Sequence, residues 1–466
     1  MATYRPTIGL EIHAELKTAT KMFCNSKNDP DEDRPNVNVC PVCMGHPGTL
    51  PVVNKQAVQH VLRVGTALGS ELADFTEFDR KNYFYPDLPK GYQISQYQYP
   101  LIIGGSLRGV ELTRIHLEED AARSYHGKDG STLIDFNRAG VPLMEMVTEP
   151  VIQNQDDAVQ FAKELQILLR TLKVSDANLE KGEMRFDVNV SVSSDDSLGT
   201  KVEVKNVNSF RSLERAIAYE IKRQTEILEK GERVVQETRG WDDVSETTSS
   251  QRLKESSHDY RYFPDPDIPK FKLTSLEGFR KDEIEETLPE LPWQKRERLI
   301  ARGVRAEDAE ILVTDPVFSA VYSAEIDVIE NEKERTFATN LLLGEIRSKN
   351  PTNDEFEKLK GSLAELSALF VSGTVSSTAA KQILNVVLEK GGSPASLATE
   401  LGLVQVTDLS HIEKIVDEIF AEFPKVVDEL RAGKSEVIQF LVGQGMKKSK
   451  GSAKPELLRE VIHKRI

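Results

Sequence analysis

Six side chains in the first half of the chain are of the types that hold a hard cation: Glu11, His13, Glu119, Glu145, Asp187 and Glu203. Five carboxylates converging without a counter-charge would repel and raise one another's pKa values, so their convergence implies Mg²⁺, as one ion or two, rather than zinc. Mg²⁺ prefers oxygen ligands, keeps part of its water shell and commonly works with phosphates. The chemistry this points to is ATP-dependent phosphoryl transfer, with Arg or Lys steadying the transferred group. Suitable cations stand in Asp79–Gln96, where Arg80, Lys81 and Lys90 alternate with tyrosines that can stack on or hydrogen-bond a nucleotide. An ordered surface loop covering a core edge would have the same composition. The sequence has no G-x-x-x-x-G-K-[ST] loop and no protein-kinase signature set, so the phosphate site has to be built on strands.

The elements that must position these groups follow from periodicity. Gly9–Leu16 alternates with period two, Glu11, His13 and Glu15 on one face and Leu10, Ile12, Ala14 and Leu16 on the other, at intervals of about 7 Å along a strand. An ordinary half-exposed strand has the same pattern, and the argument rests on its recurrence. It recurs in Met184–Val192, with Asp187 on the polar side, and after a turn near Asp195–Gly199 in Lys201–Lys205, with Glu203. Leu117–Asp120 is acidic, a hairpin is expected around Gly127–Gly130, and Glu145 and Glu149 sit in an apolar run. A carboxylate there needs a partner. Pro86, Pro89 and Gly91 make Asp79–Gln96 mostly loop. Amphipathic helices are predicted from Asn154 or Asp156 to Thr171 and from Ser212 to Lys230, and Glu237–Trp241 and Asp259–Asp267 could complete the pocket.

All three cysteines lie in one stretch, Cys24 and then Cys40 and Cys43. A C-x-x-C knuckle with one more thiol supplies three of the four ligands of a structural zinc site, so structural zinc and three reduced thiols both remain open, and either is scaffold rather than catalytic centre.

With 466 residues, 39% of them hydrophobic and 29% charged, the chain has the composition of a soluble globular protein of several domains. Its apolar runs fall short of a membrane span and Met1–Pro6 lacks a signal-peptide core, so a cytoplasmic, reducing location is expected. A formal net charge of −15 argues against non-specific polyanion binding by the whole surface. A local exception is 446–466, where Lys447, Lys448, Lys450, Lys454, Arg459, Lys464 and Arg465 face only Glu456 and Glu460. Pro289 and Pro292 mark a boundary, beyond which the patterns are helical, including Phe337–Ile346 and Ser376–Glu389. The residues alone leave room for a non-catalytic RNA-binding subunit and for a small-metabolite kinase or ligase.

Gly9–Leu16, Asp79–Gln96, Leu117–Asp120, Asn137–Pro150, Lys201–Phe210, Asp259–Pro269 and Phe440–Gly451 together resemble the B subunit of the GatCAB aspartyl/glutamyl-tRNA amidotransferases, over essentially the whole chain. The resemblance implies an α+β fold: an antiparallel-sheet cradle like that of glutamine synthetase and guanido kinases over 1–292, a helical domain over 293–405 and a YqeY-like tail domain over 406–466 that grips tRNA. It also implies an ATP- and Mg²⁺-dependent ligase that phosphorylates the side-chain carboxylate of Glu or Asp misattached to tRNA(Gln) or tRNA(Asn). Ammonia released from glutamine by an A subunit then displaces phosphate, and a C subunit ties the two together. Glu11, His13, Glu119, Glu145, Asp187 and Glu203 match the family's metal positions, the first four as catalytic residues, with phosphate contacts by Arg80, Lys81 or Lys90. Zinc-bearing relatives show C-x-C before the C-x-x-C. Here Ser26 stands where the second cysteine would be, which counts against zinc on Cys24, Cys40 and Cys43.

Overall fold

A computed structural model describes residues 4–127, 129–253, 259–405, 409–449 and 453–466. The chain forms two compact units, Met1–Pro292 and Trp293–Ile466. The first holds the strands β1 (Arg5–Glu15), β2 (Asp79–Asn82), β3 (Tyr92–Ser95), β4 (Val110–Glu119), β5 (Pro142–Thr148), β6 (Met184–Ser193), β7 (Val202–Val207), β8 (Glu237–Asp242) and β9 (Thr247–Leu253). Seven of them make up most of a ten-stranded sheet in the order β9-β8-β7-β6-β1-β5-β4, with Ile102–Ile103 and Glu71–Leu72 beyond β4 and Ser106–Leu107 also on β4. Pairing is antiparallel except between β7 and β8.

Alternation fixes which face is which. Ile8, Leu10, Ile12 and Ala14 of β1 and Met184, Phe186, Val188 and Val190 of β6 are all fully buried or nearly so, on the side the helices cover. The helices α1 (Lys55–Ala67), α2 (Gln155–Thr171) and α3 (Phe210–Glu229) each begin on a side-chain cap, Asn54, Asn154 and Ser209 respectively, which accepts a backbone N–H of the first turn. α2 packs on α3, α3 on β6, and α1 on β4. The opposite, polar face of the sheet carries five of the six candidate ligands.

Asp79–Gln96 is loop over its middle, as expected, with β2 and β3 pairing at its two ends and Phe263–Pro264 adding a third strand on β2. The prolines and Gly91 bound only the turn between the two strands. The partner Phe263–Pro264 comes from far along the chain and leaves no local signal. The predicted hairpin after Asp120 is present, as Arg123–His126 pairs with Thr132–Asp135.

The second unit is helical and has two separate cores among the described residues, one around Leu312, Leu342, Leu363 and Ile383 and one around Ile412, Ile419, Leu441 and Leu458. The pattern at Ser376–Glu389 becomes a helix over Ser377–Lys390 capped by Ser376, and that at Phe337–Ile346 a helix over Glu332–Asn340 that loosens into a π-helical turn at Leu341–Ile346. The architecture is α+β, and no helix among the described residues is long and apolar enough to cross a membrane.

Candidate active site

β1 runs between β5 and β6, so their polar faces meet row by row. His13 stands opposite Glu145 and Arg185, and Glu11 opposite Asp187. One strand further out, Glu145 faces His116 of β4, and Asn189 faces Glu203 of β7. Two trios result. Ligand atoms of His13, Glu118 and Glu145 lie within 4.8 Å of one another, and so do those of Glu11, Asp187 and Glu203. His13 Nε2 is 3.4 Å from Glu145 and 3.9 Å from Glu118, and His116 Nε2 is 3.6 Å from Glu145. In the other trio Asn189 Nδ2 donates to Glu11 at 2.9 Å and Thr238 Oγ1 to Glu203 at 2.7 Å, while Lys205 Nζ lies 2.5 Å from Asp187 and 3.9 Å from Glu203. A cavity of about 270 Å³ is lined by every member of the two trios except Glu118, and also by Lys81, Arg114 and Lys201, with Tyr97, Tyr260 and Tyr262 along it. Tyr97 and Tyr262 stack at 4.3 Å between ring centres.

The electrostatics follow from burial opposed by neighbours. Burial alone would raise the pKa of Glu145, but His116, its hydrogen bond to His13, and Lys81 hold it well below the usual carboxylate value. Burial would lower that of His13, but Glu145, Glu118 and Asp187 outweigh it and the value is raised. His116 is less compensated. Burial and the charges of Arg114, Lys81 and His13 overcome the pull of Glu145 and push it down to about 4, so it is neutral at pH 7. Glu118 is raised by burial and by Glu145, against Lys81. Lys81 and Lys205 stay protonated because Glu118, Tyr262 and Glu145 around the first, and Asp187 and Glu203 around the second, outweigh their burial.

Five of the six candidate ligands, Glu11, His13, Glu145, Asp187 and Glu203, are thus brought together, and the sixth is not. Glu119 points to the other face of β4, where Lys90 Nζ sits 2.6 Å from its carboxylate and Ile94 N–H donates to it at 2.9 Å. Its neighbour Glu118 takes the place in the first trio, because consecutive residues of a strand face opposite sides. The signal was legible: Arg114, His116 and Glu118 follow at period two against the buried Ile115 and Leu117. Of the three phosphate candidates only Lys81 lines the cavity. Arg80 is held by Asp265 at 2.8 Å and Asp267 at 3.0 Å over the Tyr92 ring, and Lys90 by Glu119. Glu15 also leaves the site. It lies among Asp120, Arg185, Arg138 and Arg123, where burial and the Asp120 charge push its pKa up to about 8. Glu149 accepts from Thr113 Oγ1 at 2.8 Å. Of the two later segments, Tyr260 and Tyr262 reach the cavity, whereas Arg239 is occupied by Glu237 and Thr248, and Trp241 donates to Asp243.

Carboxylate oxygens dominate both trios, a donor set that fits a hard divalent cation such as Mg²⁺. The thiols differ. Cys24, Cys40 and Cys43 converge with their sulfurs within 4.8 Å of one another, but around Cys43 Sγ stand Ser26 Oγ at 3.9 Å and the ammonium of Lys21 at 4.0 Å. A hydroxyl is a poor zinc ligand, and the fixed ammonium already balances a thiolate, so these residues do not fit the closed four-ligand zinc site.

In the last segment much of the positive charge is matched. Lys448 pairs with Glu418 and Glu422, Arg465 with Asp417 and Glu413, and Lys464 with Glu460. Lys450 lies outside the described residues. The surplus read from 446–466 alone is therefore reduced by acids of the helix Leu409–Glu422.

Residues 6–277 match the model of the GatB/GatE catalytic domain, and residues 322–466 that of the GatB domain. The chain is similar over nearly its whole length to proteins named as the B subunit of aspartyl/glutamyl-tRNA(Asn/Gln) amidotransferase. It is 45% identical to that of Thermus thermophilus over 467 residues, 98% of each chain. It is 42% identical to that of Trichodesmium erythraeum over 489 residues, 99% of this chain and 98% of the relative, and 42% identical to that of Thermodesulfovibrio yellowstonii over 477 residues, 99% of each.

Proposed function

The chain belongs to the GatB/GatE family, and on that premise we propose that it is the subunit of a tRNA-dependent amidotransferase that activates misacylated tRNA for amidation. Its substrates in this reading are ATP and Glu-tRNA(Gln), Asp-tRNA(Asn) or both. The observation that carries the reading is the pair of trios side by side on the polar face of β1, under a cavity that also holds Lys81 and Lys205. A non-catalytic RNA-binding subunit has no use for such a convergence of buried carboxylates, which costs stability unless a cation joins it.

His13, Glu118 and Glu145, and Glu11, Asp187 and Glu203, would hold Mg²⁺, which when bound shields phosphate charge during transfer. The chain's own residues supply the rest. Lys81 and Lys205 stay protonated and are poised to steady a transferred phosphoryl group. Asn189 and Thr238 fix the carboxylates of Glu11 and Glu203, and neutral His116 packs against Glu145 without adding charge. Tyr97, Tyr260 and Tyr262 offer aromatic faces for a base. An oxygen of the aminoacyl side-chain carboxylate attacks the γ-phosphorus of ATP, ADP leaves, and an acyl phosphate forms. Ammonia then attacks the acyl carbon, the C–O bond to phosphate breaks, and the proton lost from nitrogen departs with phosphate.

The same reading assigns 1–292 to the ATP-dependent step, and 293–405 and 406–466 to a helical domain and a tRNA-contacting tail. An A subunit would supply ammonia and a C subunit complete a cytoplasmic heterotrimer. The test is ATP cleavage and amide formation by the complex assembled with A and C partners in Mg²⁺, comparing Glu-tRNA(Gln) with uncharged tRNA and the wild type with Glu145→Gln. Cleavage stimulated only by the charged tRNA and lost in the variant is the expected result. Cleavage indifferent to charging would favour a small-metabolite kinase, and a competent complex without turnover would overturn the kinase role.

A further inference from the structure

Behind β4, away from the acidic cavity, Cys24 and Cys43 line a pocket of about 210 Å³. Nothing in the proposed reaction uses these sulfurs. Cys43 is buried at 4% exposure, and its Sγ receives the Cys40 backbone N–H at 3.1 Å and lies 3.8 Å from Cys40 Sγ, with the Cys40 carbonyl at 3.4 Å. Lys21, with no exposed surface at all, reaches the same spot. Its Nζ donates to the Phe136 carbonyl at 3.1 Å and lies 4.0 Å from Cys43 Sγ. Gly140 packs beside both, in the left-handed region at φ 86° where a side chain would be strained.

A buried ammonium needs an anion; burial lowers the Lys21 pKa against the pull of the three sulfurs, and the sulfur that lies beside it and accepts an N–H is the one favoured as thiolate. The other titratable groups around it are Cys24, Cys40 and, further off, Glu119 with its partner Lys90. The hydrogen bond from the Cys24 thiol, and then Lys21, hold Cys43 near a pKa of about 4 against its burial, while Cys24 is pushed up and stays protonated. Cys43 thus has the three features of a redox-active thiol: fixed cationic stabilisation, a second thiol in reach and a pocket that admits a small oxidant.

We propose that Cys43 and Cys40 form a peroxide-sensitive dithiol site on the face of β4 opposite the acidic cavity. The Cys43 thiolate attacks the distal oxygen of a hydroperoxide, the O–O bond breaks, and the leaving oxygen takes a proton to give water or an alcohol. The resulting Cys43 sulfenic acid is attacked by Cys40 sulfur, the S–O bond breaks, and the hydroxyl leaves as water with the Cys40 proton. In sum two thiols are oxidised by two electrons and one peroxide is reduced. A dithiol reductant reverses the change.

The experiment treats the full chain, reduced and freed of reductant, with a small excess of hydrogen peroxide, and follows intact mass and non-reducing peptide maps. A loss of 2 Da, a Cys40–Cys43 disulfide and reversal by dithiothreitol are expected. Cys40→Ser should instead accumulate a dimedone-reactive sulfenic acid on Cys43, and Cys43→Ser should leave the other thiols unreacted over the same time. Because a substitution of buried Lys21 risks the fold, thiolate character is read on the wild type as a reaction rate that stays flat between pH 6 and 9. Slow oxidation that rises tenfold per pH unit, a disulfide through Cys24, or one zinc ion retained through dialysis against EDTA that blocks oxidation would each overturn the proposal.

Discussion

Glu118 and Glu119 are adjacent on β4 and meet opposite surroundings. Glu118 looks onto the polar face, 3.9 Å from His13 Nε2 and beside Glu145, and accepts from Ser95 Oγ at 3.3 Å. Glu119 looks the other way and is fully engaged, by Lys90 at 2.6 Å, Ile94 N–H at 2.9 Å and, through its backbone oxygen, Gln93 Nε2 at 2.7 Å. Burial is nearly equal, 2% and 3% exposure, so burial does not separate the roles. Partnering does. Glu119, with both its carboxylate and its carbonyl tied to β3 and the turn before it, holds structure together, whereas Glu118, packed against Glu145 and an imidazole, joins a cluster of donors suited to a cation.

The strongest test removes one charge from each face. Glu145→Gln or Glu118→Gln should lower ATP-dependent amide formation by roughly 10²–10³-fold, the scale of losing one preorganised charge-stabilising group. The melting temperature should hold or rise in Glu118→Gln, whose charge folding disfavours, and fall in Glu145→Gln, which takes the anion from His13. Glu119→Gln should lower stability by about 3 kcal/mol, because it leaves the Lys90 ammonium buried without its anion. Urea unfolding of the two variants side by side reads this directly. The double variant Lys90→Met with Glu119→Leu, which replaces both partners, should recover most of that loss. A Glu119→Gln protein of unchanged stability and lost activity would invert the assignment of the two faces.

A smaller effect sharpens the same contrast. If the trios bind a divalent cation in the folded state only, Mg²⁺ at about 100 times its dissociation constant should add roughly 2.7 kcal/mol to the wild type. Glu118→Gln should lose most of that gain and Glu119→Gln should keep it. Thermal shifts measured against Mg²⁺ concentration decide the matter.

What the residues disclosed in advance was the part governed by strand alternation. The phases of β1, β6 and β7 are each fixed by unbroken apolar residues on the opposite face, and they put Glu11, His13, Asp187 and Glu203 together on the polar face. Leu117–Asp120 holds three consecutive acids, and only its phase distinguishes Glu118 from Glu119. That phase is set upstream by Arg114 and His116. Pairing over long sequence separations left no trace: Arg80 looks available for phosphate until Asp265 and Asp267 are folded against it, and Lys90 until Glu119 is. In the thiol stretch the spacing suggested a metal, and it is Lys21, buried three residues before Cys24, that changes the chemistry.

The end of the polar face carries the smallest and most specific expectation. Glu15 continues the row of Glu11 and His13, yet its carboxyl is buried beside Asp120, with Oε1 lacking a hydrogen-bond partner. Arg185 at 3.0 Å and Arg138 at 3.7 Å attend Asp120, which is held down at about 2, and Glu15 is left to keep its proton up to about 8. A folded-state pKa above the unfolded value of 4.5 means that folding holds a proton the unfolded chain has released. The stability Glu15 contributes is therefore complete below pH 4.5 and lost as pH rises towards 8. That of Asp120 has the opposite sign, present above 3.8 and lost as pH falls through 2. Glu15→Gln keeps the neutral shape and removes the titration. It should flatten the decline between pH 5 and pH 8.5, a difference on the order of 1–2 kcal/mol once the arginines have relaxed towards the new charge, and leave the variant the more stable protein at the alkaline end. Urea midpoints of the two proteins at pH 5, 7 and 8.5 measure it. Parallel pH profiles would mean that Glu15 is ionised throughout, and that the polar row continues past His13 as charge and not as a proton store.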